Sequence, residues 1–129
     1  ANLTGANILQ NSLAILLAQP EFLAYKLVTA AGEGPYNGGI TYEIGGEYVV
    51  ENINEDPRIL CGAGIHLATR DWCLAERKEG YRILVAKVVT KDNKIIIPYA
   101  SDGKFRVRKC KIIMEESGQG NPTLEEQKP

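Results

Sequence analysis

Apolar positions along the chain change their period as the elements change. Over residues 8–19, Ile8, Ile15 and Leu16, with Leu9, Leu13 and Leu17 beside them, follow the 3.6-residue spacing of a helix that Pro20 stops near Gln19. Residues 22–29 then read as a strand, and residues 31–39, with four glycines and a proline, as a loop. A hairpin is expected over 40–50, turned at Gly45-Gly46, followed by a loop over 52–60 and a short strand over 65–68. Thr69 is a good N-cap and Asp71 suits the first turn, so a helix is expected over 70–78, ended by Gly80. The apolar run 81–91 predicts a strand, Asp92-Asn93 a turn, and 95–99 and 105–114 further strands separated by Ser101-Asp102-Gly103.

These elements predict an α+β domain: an antiparallel or split β-sheet with an N-terminal helix and one short central helix. Residues 1–19 form a lead and helix, 20–116 the domain, and 117–129 a polar tail with almost nothing apolar, expected to be flexible.

The chain has 129 residues, 44% hydrophobic and 24% charged, which suits one globular domain. Three cysteines, an odd number, point to reduced thiols rather than a disulfide framework. The apolar stretch 13–18 lacks a basic leader and does not read as a signal peptide, and no run reaches the roughly 20 residues of a membrane span. A cytoplasmic or virion-associated location without membrane contact is expected. Charge balances overall but not locally. Residues 1–60 carry seven acids against two bases, whereas 61–116 carry seven acids against twelve bases. Opposed faces of that kind suit a surface that meets a second copy or another structural protein; simple solvation of outward faces is the alternative.

Few groups suggest chemistry. Cys61, His66, Cys73 and Cys110 include zinc-ligand types, but their spacing matches no finger, so no metal or cofactor is expected. Cys73 near a helix start and His66 on a strand would be the members of a thiol–imidazole pair if the fold joined them. Lys104, Arg106 and Arg108 alternate with Phe105 and Val107, and Lys109 and Lys111 follow out of phase, which predicts a bulge near Arg108-Lys109. These five bases are the expected interaction surface, with phosphate or nucleic-acid binding as a less favoured use. The glycine-rich loop fits neither a P-loop nor a dinucleotide fingerprint, but lets a backbone approach a ligand closely.

Two resemblances add to this reading. Ala1-Asn2-Leu3-Thr4-Gly5 and the units after it, with Leu3, Ile8 and Leu13 five apart, resemble the pentapeptide repeat A-(D/N)-L-x-x. Tyr25-Lys26-Leu27-Val28, Gly32-Glu33-Gly34-Pro35, and the runs 61–74, 81–85 and 101–110 resemble the C-terminal domain that follows such repeats in some phage and bacterial proteins. That resemblance covers about residues 20–115 and implies a phage or bacterial accessory or assembly role. Gly64-Ile65-His66-Leu67-Ala68, a helix, and the strand 83–88 are in turn similar to the Gly-Ile-Tyr-Phe-Ala, helix, strand order of ADP-ribosyltransferases. This implies a nucleotide pocket in which His66 stands for the family's tyrosine and Tyr25-Lys26 for its earlier His or Arg. Lys104-Phe105-Arg106-Val107-Arg108 occupies the place of its late glutamate.

The expected function is therefore a non-enzymatic, partner-docking or self-associating module, such as a capsid or tail decoration protein. An ADP-ribosyltransferase-like nucleotide-binding enzyme or a degenerate relative is the alternative. The expected pocket comprises Tyr25, Gly34, Tyr36, His66 and Trp72.

Overall fold

Seven antiparallel strands and one short helix make up the computed structural model, which describes residues 17–35 and 39–116. The strands are β1 (Glu21–Val28), β2 (Glu47–Val49), β3 (Ile65–Ala68), β4 (Arg82–Val89), β5 (Ile95–Ile96), β6 (Lys104–Val107) and β7 (Lys109–Glu115). The helix α1 (Arg70–Glu76) lies between β3 and β4. The sheet order is β2-β7-β4-β1-β3-β6-β5.

One residue explains the shape. β6 and β7 are consecutive in the chain, separated only by Arg108, yet β6 lies beside β3 toward one edge of the sheet and β7 beside β4 toward the other. Those two ends must meet at Arg108, so the sheet rolls up on itself. A register shift between Val85 and Ala86, where β4 meets β7, sharpens the local twist. The phase change read at Arg108-Lys109 is this bend.

The inward face of the roll is the main core. Phe22, Ala24 and Val28 of β1 meet Leu67 of β3, Val88 of β4, Phe105 of β6 and Ile112 of β7 in one apolar cluster. The Phe22 and Phe105 rings, from strands that are not neighbours, pack at 6.0 Å between centroids. A second cluster on the outer face joins Leu27, Ala68 and Ile83 to Cys73 of α1, with Tyr25 and Trp72 partly buried against it.

The helix is short for local reasons. Thr69 caps it by accepting a hydrogen bond from the Trp72 N–H at 3.1 Å, and Asp71 sits in its first turn. Arg77 is already extended, so the helix ends at Glu76 rather than reaching Lys78. Gly103 supports its start: the Thr69 N–H donates to the Gly103 carbonyl at 3.0 Å. A Cβ on Gly103 would stand 2.9 Å from Thr69 Oγ1 and 3.0 Å from Trp72 Cβ, at a φ of 134°.

Two expectations are corrected. The domain is a small β-rich fold and not α+β: α1, of seven residues, is the one α-helix among the described residues. Most of the helix expected over 8–19 lies outside the described residues, and Leu17 and Ala18 belong to a 3-10 turn. Nor do residues 40–50 form a hairpin. Tyr42 turns inward and is buried, while β2 pairs with β7, not with the residues before Gly45. The expected tail, 117–129, lies outside the described residues.

Candidate functional site

β1 and β3 are registered at a single pair, Tyr25 opposite Ala68, and part beyond it. The split forms a narrow cleft with room of only about 20 Å³, roughly the space of one water. Tyr25, Lys26, Gly34, His66, Trp72 and Lys104 are among its lining residues.

Lys26 belongs to the inward parity of β1, Phe22-Ala24-Lys26-Val28, where an apolar residue would be ordinary. It is only 4% exposed. Its ammonium fills the ladder gap by donating to the His66 carbonyl at 2.8 Å, and it stands 5.1 Å from the centre of the Tyr42 ring. Burial, opposed by nearby Cys110 and Cys73 and reinforced by Lys104, brings its pKa down to about 8. Among the described residues no carboxylate pairs with it.

His66 is 8% exposed, and its Nε2 lies 2.7 Å from the Gly62 carbonyl. A carbonyl only accepts, so Nε2 carries the proton and Nδ1 presents a lone pair. That Nδ1 is buried without a partner among the described residues. Burial, despite the Gly62 bond, holds the ring's pKa down at about 4, and Lys104, Lys26 and Arg106 push the same way. The imidazole is therefore neutral at ordinary pH. At the rim, the Lys104 ammonium is 3.1 Å from Cys61 Sγ and 5.9 Å from the centre of the Trp72 ring.

Four of the five expected pocket residues, Tyr25, Gly34, His66 and Trp72, line this cleft; Tyr36 lies outside the described residues. Lys26 entered only through the ADP-ribosyltransferase resemblance and Lys104 chiefly as one of the five bases, and neither was among the five expected pocket residues. Lys26 had a visible signal, a charge interrupting the inward alternation of an otherwise apolar strand.

The five bases of 104–111 do not make one surface. Lys104 turns to the cleft, and Arg106, read as an interaction residue, is fully buried. Its guanidinium donates to the carbonyls of Asn54 and Asp56 at 2.7 Å each, to that of Ile59 at 2.7 Å, and to Asn54 Oδ1 at 3.3 Å. It clasps the loop before β3 and is unavailable to a partner. Gly64 lets that loop close, since a Cβ there would lie 3.0 Å from Ile53 and 3.2 Å from Arg106 Cβ. Arg108, at the bend, donates to the Asp92 carbonyl and lies 3.4 Å from Glu51.

Only Lys109 and Lys111 remain together. They line a groove of about 420 Å³ over β7 with Val49, Val89, Lys87 and Glu47. Val49 and Val89 are half-exposed, as are Leu23 beside them on β1 and Ile44 in the turn before β2.

Three of the seven acids of the first half meet bases of the second within the chain: Glu21 with Lys87 and Glu55 with Lys94 at 3.5 Å, Glu51 with Arg108 at 3.4 Å. Cys73 and Cys110 lie under α1 and inside the roll respectively, each pushed up to about 12 chiefly by burial, so both thiols stay protonated. Among the described residues no three His, Cys, Asp or Glu side chains gather as metal ligands, and no helix is long and apolar enough to cross a membrane. No protein-family model, curated protein or solved structure matches the chain.

Proposed function

We propose that the protein is a non-enzymatic, self-associating module whose groove over β7 receives the turn 43–46 of a second copy, as suits an accessory or assembly protein. One observation carries this reading. Among the described residues Lys109, Lys111, Glu43 and Glu47 make no ion pair, although other acids of the first half reach bases of the second. The turn offers Glu43 and the exposed Ile44, and its Gly45 N–H bonds the Ile112 carbonyl at 2.7 Å, at one end of the groove. Turn and groove therefore lie side by side. A twofold axis between copies seats each turn in the other's groove, aliphatic anchors inside and opposite charges around them.

Sedimentation across a salt series tests the reading. Wild type should dimerise at low salt and dissociate as salt rises. The double variants Lys109→Glu/Lys111→Glu and Glu43→Lys/Glu47→Lys should each be monomeric, and an equimolar mixture should recover the dimer. A wild type that stays monomeric up to millimolar concentration, or a dimer indifferent to both variants, overturns it.

A further inference from the structure

We propose that residues 8–16 fold back as a helix onto the outer face of β1 and β4, beside α1, and cover the apolar strip that runs from Leu23 to Met114. The contact is made within one chain and is independent of the groove over β7.

The outer face of the sheet is finished at one end only. There α1 packs Cys73 against Leu27, Ala68 and Ile83, with Tyr25 partly buried at the edge. Beyond that edge Leu23 is 55% exposed and Met114 52%. The register joins them: Val85 of β4 lies opposite Tyr25 on one side and Met114 on the other, and Leu23 is two residues before Tyr25 on the same face. Large apolar side chains half in water on adjoining strands make a patch that a second layer ordinarily covers. The charged groups at its border, Glu21 and Lys87, meet each other at 3.5 Å, so apolar surface is what is left unmet.

The occupant follows from where the chain enters. Thr90 ties down the start of β1: its hydroxyl donates to the carbonyls of Gln19 at 2.8 Å and Pro20 at 3.1 Å, and its N–H donates to that of Pro20 at 3.0 Å. The residues before Leu17 therefore start from the end of β1 nearest Leu23, and the 3-10 turn at Leu17 and Ala18 supplies a reversal. Residues 1–19 carry no charged side chain, and Leu9, Leu13 and Leu16 share one face at helical spacing, with Asn11 opposite. An uncharged amphipathic segment matches an apolar strip and not the lysine-lined groove. Lengths agree too. Residues 8–16 as a helix reach about 14 Å, and β1 from Glu21 to Tyr25, where α1 takes over, also extends about 14 Å.

Met114 is the one methionine of the chain, so its methyl group reports this strip directly. The full chain, isotope-labelled at that methyl, is measured at high salt and low concentration, where a dimer held through the charged groove dissociates. Nuclear Overhauser contacts should link the Met114 methyl to methyl groups of residues 8–16. Hydrogen peroxide should oxidise Met114 about fivefold more slowly than free methionine. In Leu13→Ser/Leu16→Ser the contacts should vanish and oxidation should quicken toward the free rate. Leu23→Ser, at an exposed position that leaves the core untouched, should act alike. Each variant should lower the melting temperature by about 5 °C, and the two combined should lower it little further, since they remove the same contact. A Met114 methyl without contacts to residues 8–16 overturns the proposal, as does oxidation at the free rate in wild type or a combined loss that is simply additive. Protection that grows with protein concentration at high salt overturns it too, because a second copy then supplies the cover.

Discussion

Two buried cations on the same rolled sheet have opposite circumstances. Arg106 of β6 is surrounded by acceptors: three carbonyls and an amide oxygen take its N–H groups, and all belong to the loop that covers it. Lys26 of β1 has one carbonyl and a ring. A guanidinium with a fixed fork of donors is suited to gathering loop carbonyls, whereas a compact ammonium here holds a single carbonyl across the gap in the ladder. The difference separates a charge that folds the protein from one that the fold tolerates.

The largest expected effect breaks the first half of that contrast. Arg106→Met should strand the carbonyls of Asn54, Asp56 and Ile59 beneath a loop that no longer has a clasp, lowering stability by about 3 kcal/mol in urea unfolding. Amide exchange over residues 53–63 should accelerate beyond what the global loss requires. A loss below about 1 kcal/mol would mean that water replaces the guanidinium easily, and the clasp would lose its structural meaning.

How this contrast could be read from the sequence differs between the two residues. Lys26 was legible as a local exception, because Phe22, Ala24 and Val28 share its parity and are apolar. The parity of Arg106 was legible too, but it suggested a solvent face. What buries it is a loop some fifty residues earlier, and periodicity within a strand carries no information about a distant cover. The same limit explains residues 40–50. Their apolar pattern suits a strand, but Tyr42 is used as a plug for the open side of the roll, where the Tyr48 ring meets it at 4.8 Å. A helix expected near the start and another in the middle suggested α+β, while the described fold takes its shape from β6 and β7 meeting at Arg108. The charge asymmetry was visible, yet three of the seven first-half acids find their partners within the chain, through exposed pairs each worth under about 1 kcal/mol.

His66 stands between the two cations and gives the next effect. Its folded pKa, about 4, lies below its ordinary value of 6.5, so the unfolded chain takes the proton first on acidification. Stability should therefore be fully present above pH 6.5 and fall as the pH drops toward 4, by about 3 kcal/mol in all. The Gly62 carbonyl, Lys104, Lys26 and Arg106 are the groups that act on the ring. Asp56, held down near 2 by its hydrogen bonds from Arg58, acts only at lower pH. In His66→Gln the slope between pH 6.5 and 4 should flatten, as followed by thermal melts over that range. A slope that persists unchanged would place the acid sensitivity elsewhere.

The smallest expected change sharpens the contrast most. If the fold tolerates Lys26 without depending on it, Lys26→Met should leave stability at pH 7 within about 1 kcal/mol of wild type, the lost bond to the His66 carbonyl offset by removal of a buried charge. A cost equal to that of Arg106→Met would make both cations structural and remove the distinction. The alkaline limb gives an independent check. The Lys26 pKa falls from 10.5 to about 8 on folding, so between those values the unfolded chain binds the extra proton and wild-type stability gains as pH rises. Cys73 and Cys110, raised from 9.0 to about 12, act in the opposite sense above pH 9. Both proteins share those thiols, so the difference between wild type and Lys26→Met isolates the lysine. That difference should shift in favour of wild type from pH 8 upward and level off near 10.5, because the charge whose burial is unfavourable has by then been removed by deprotonation instead of by substitution.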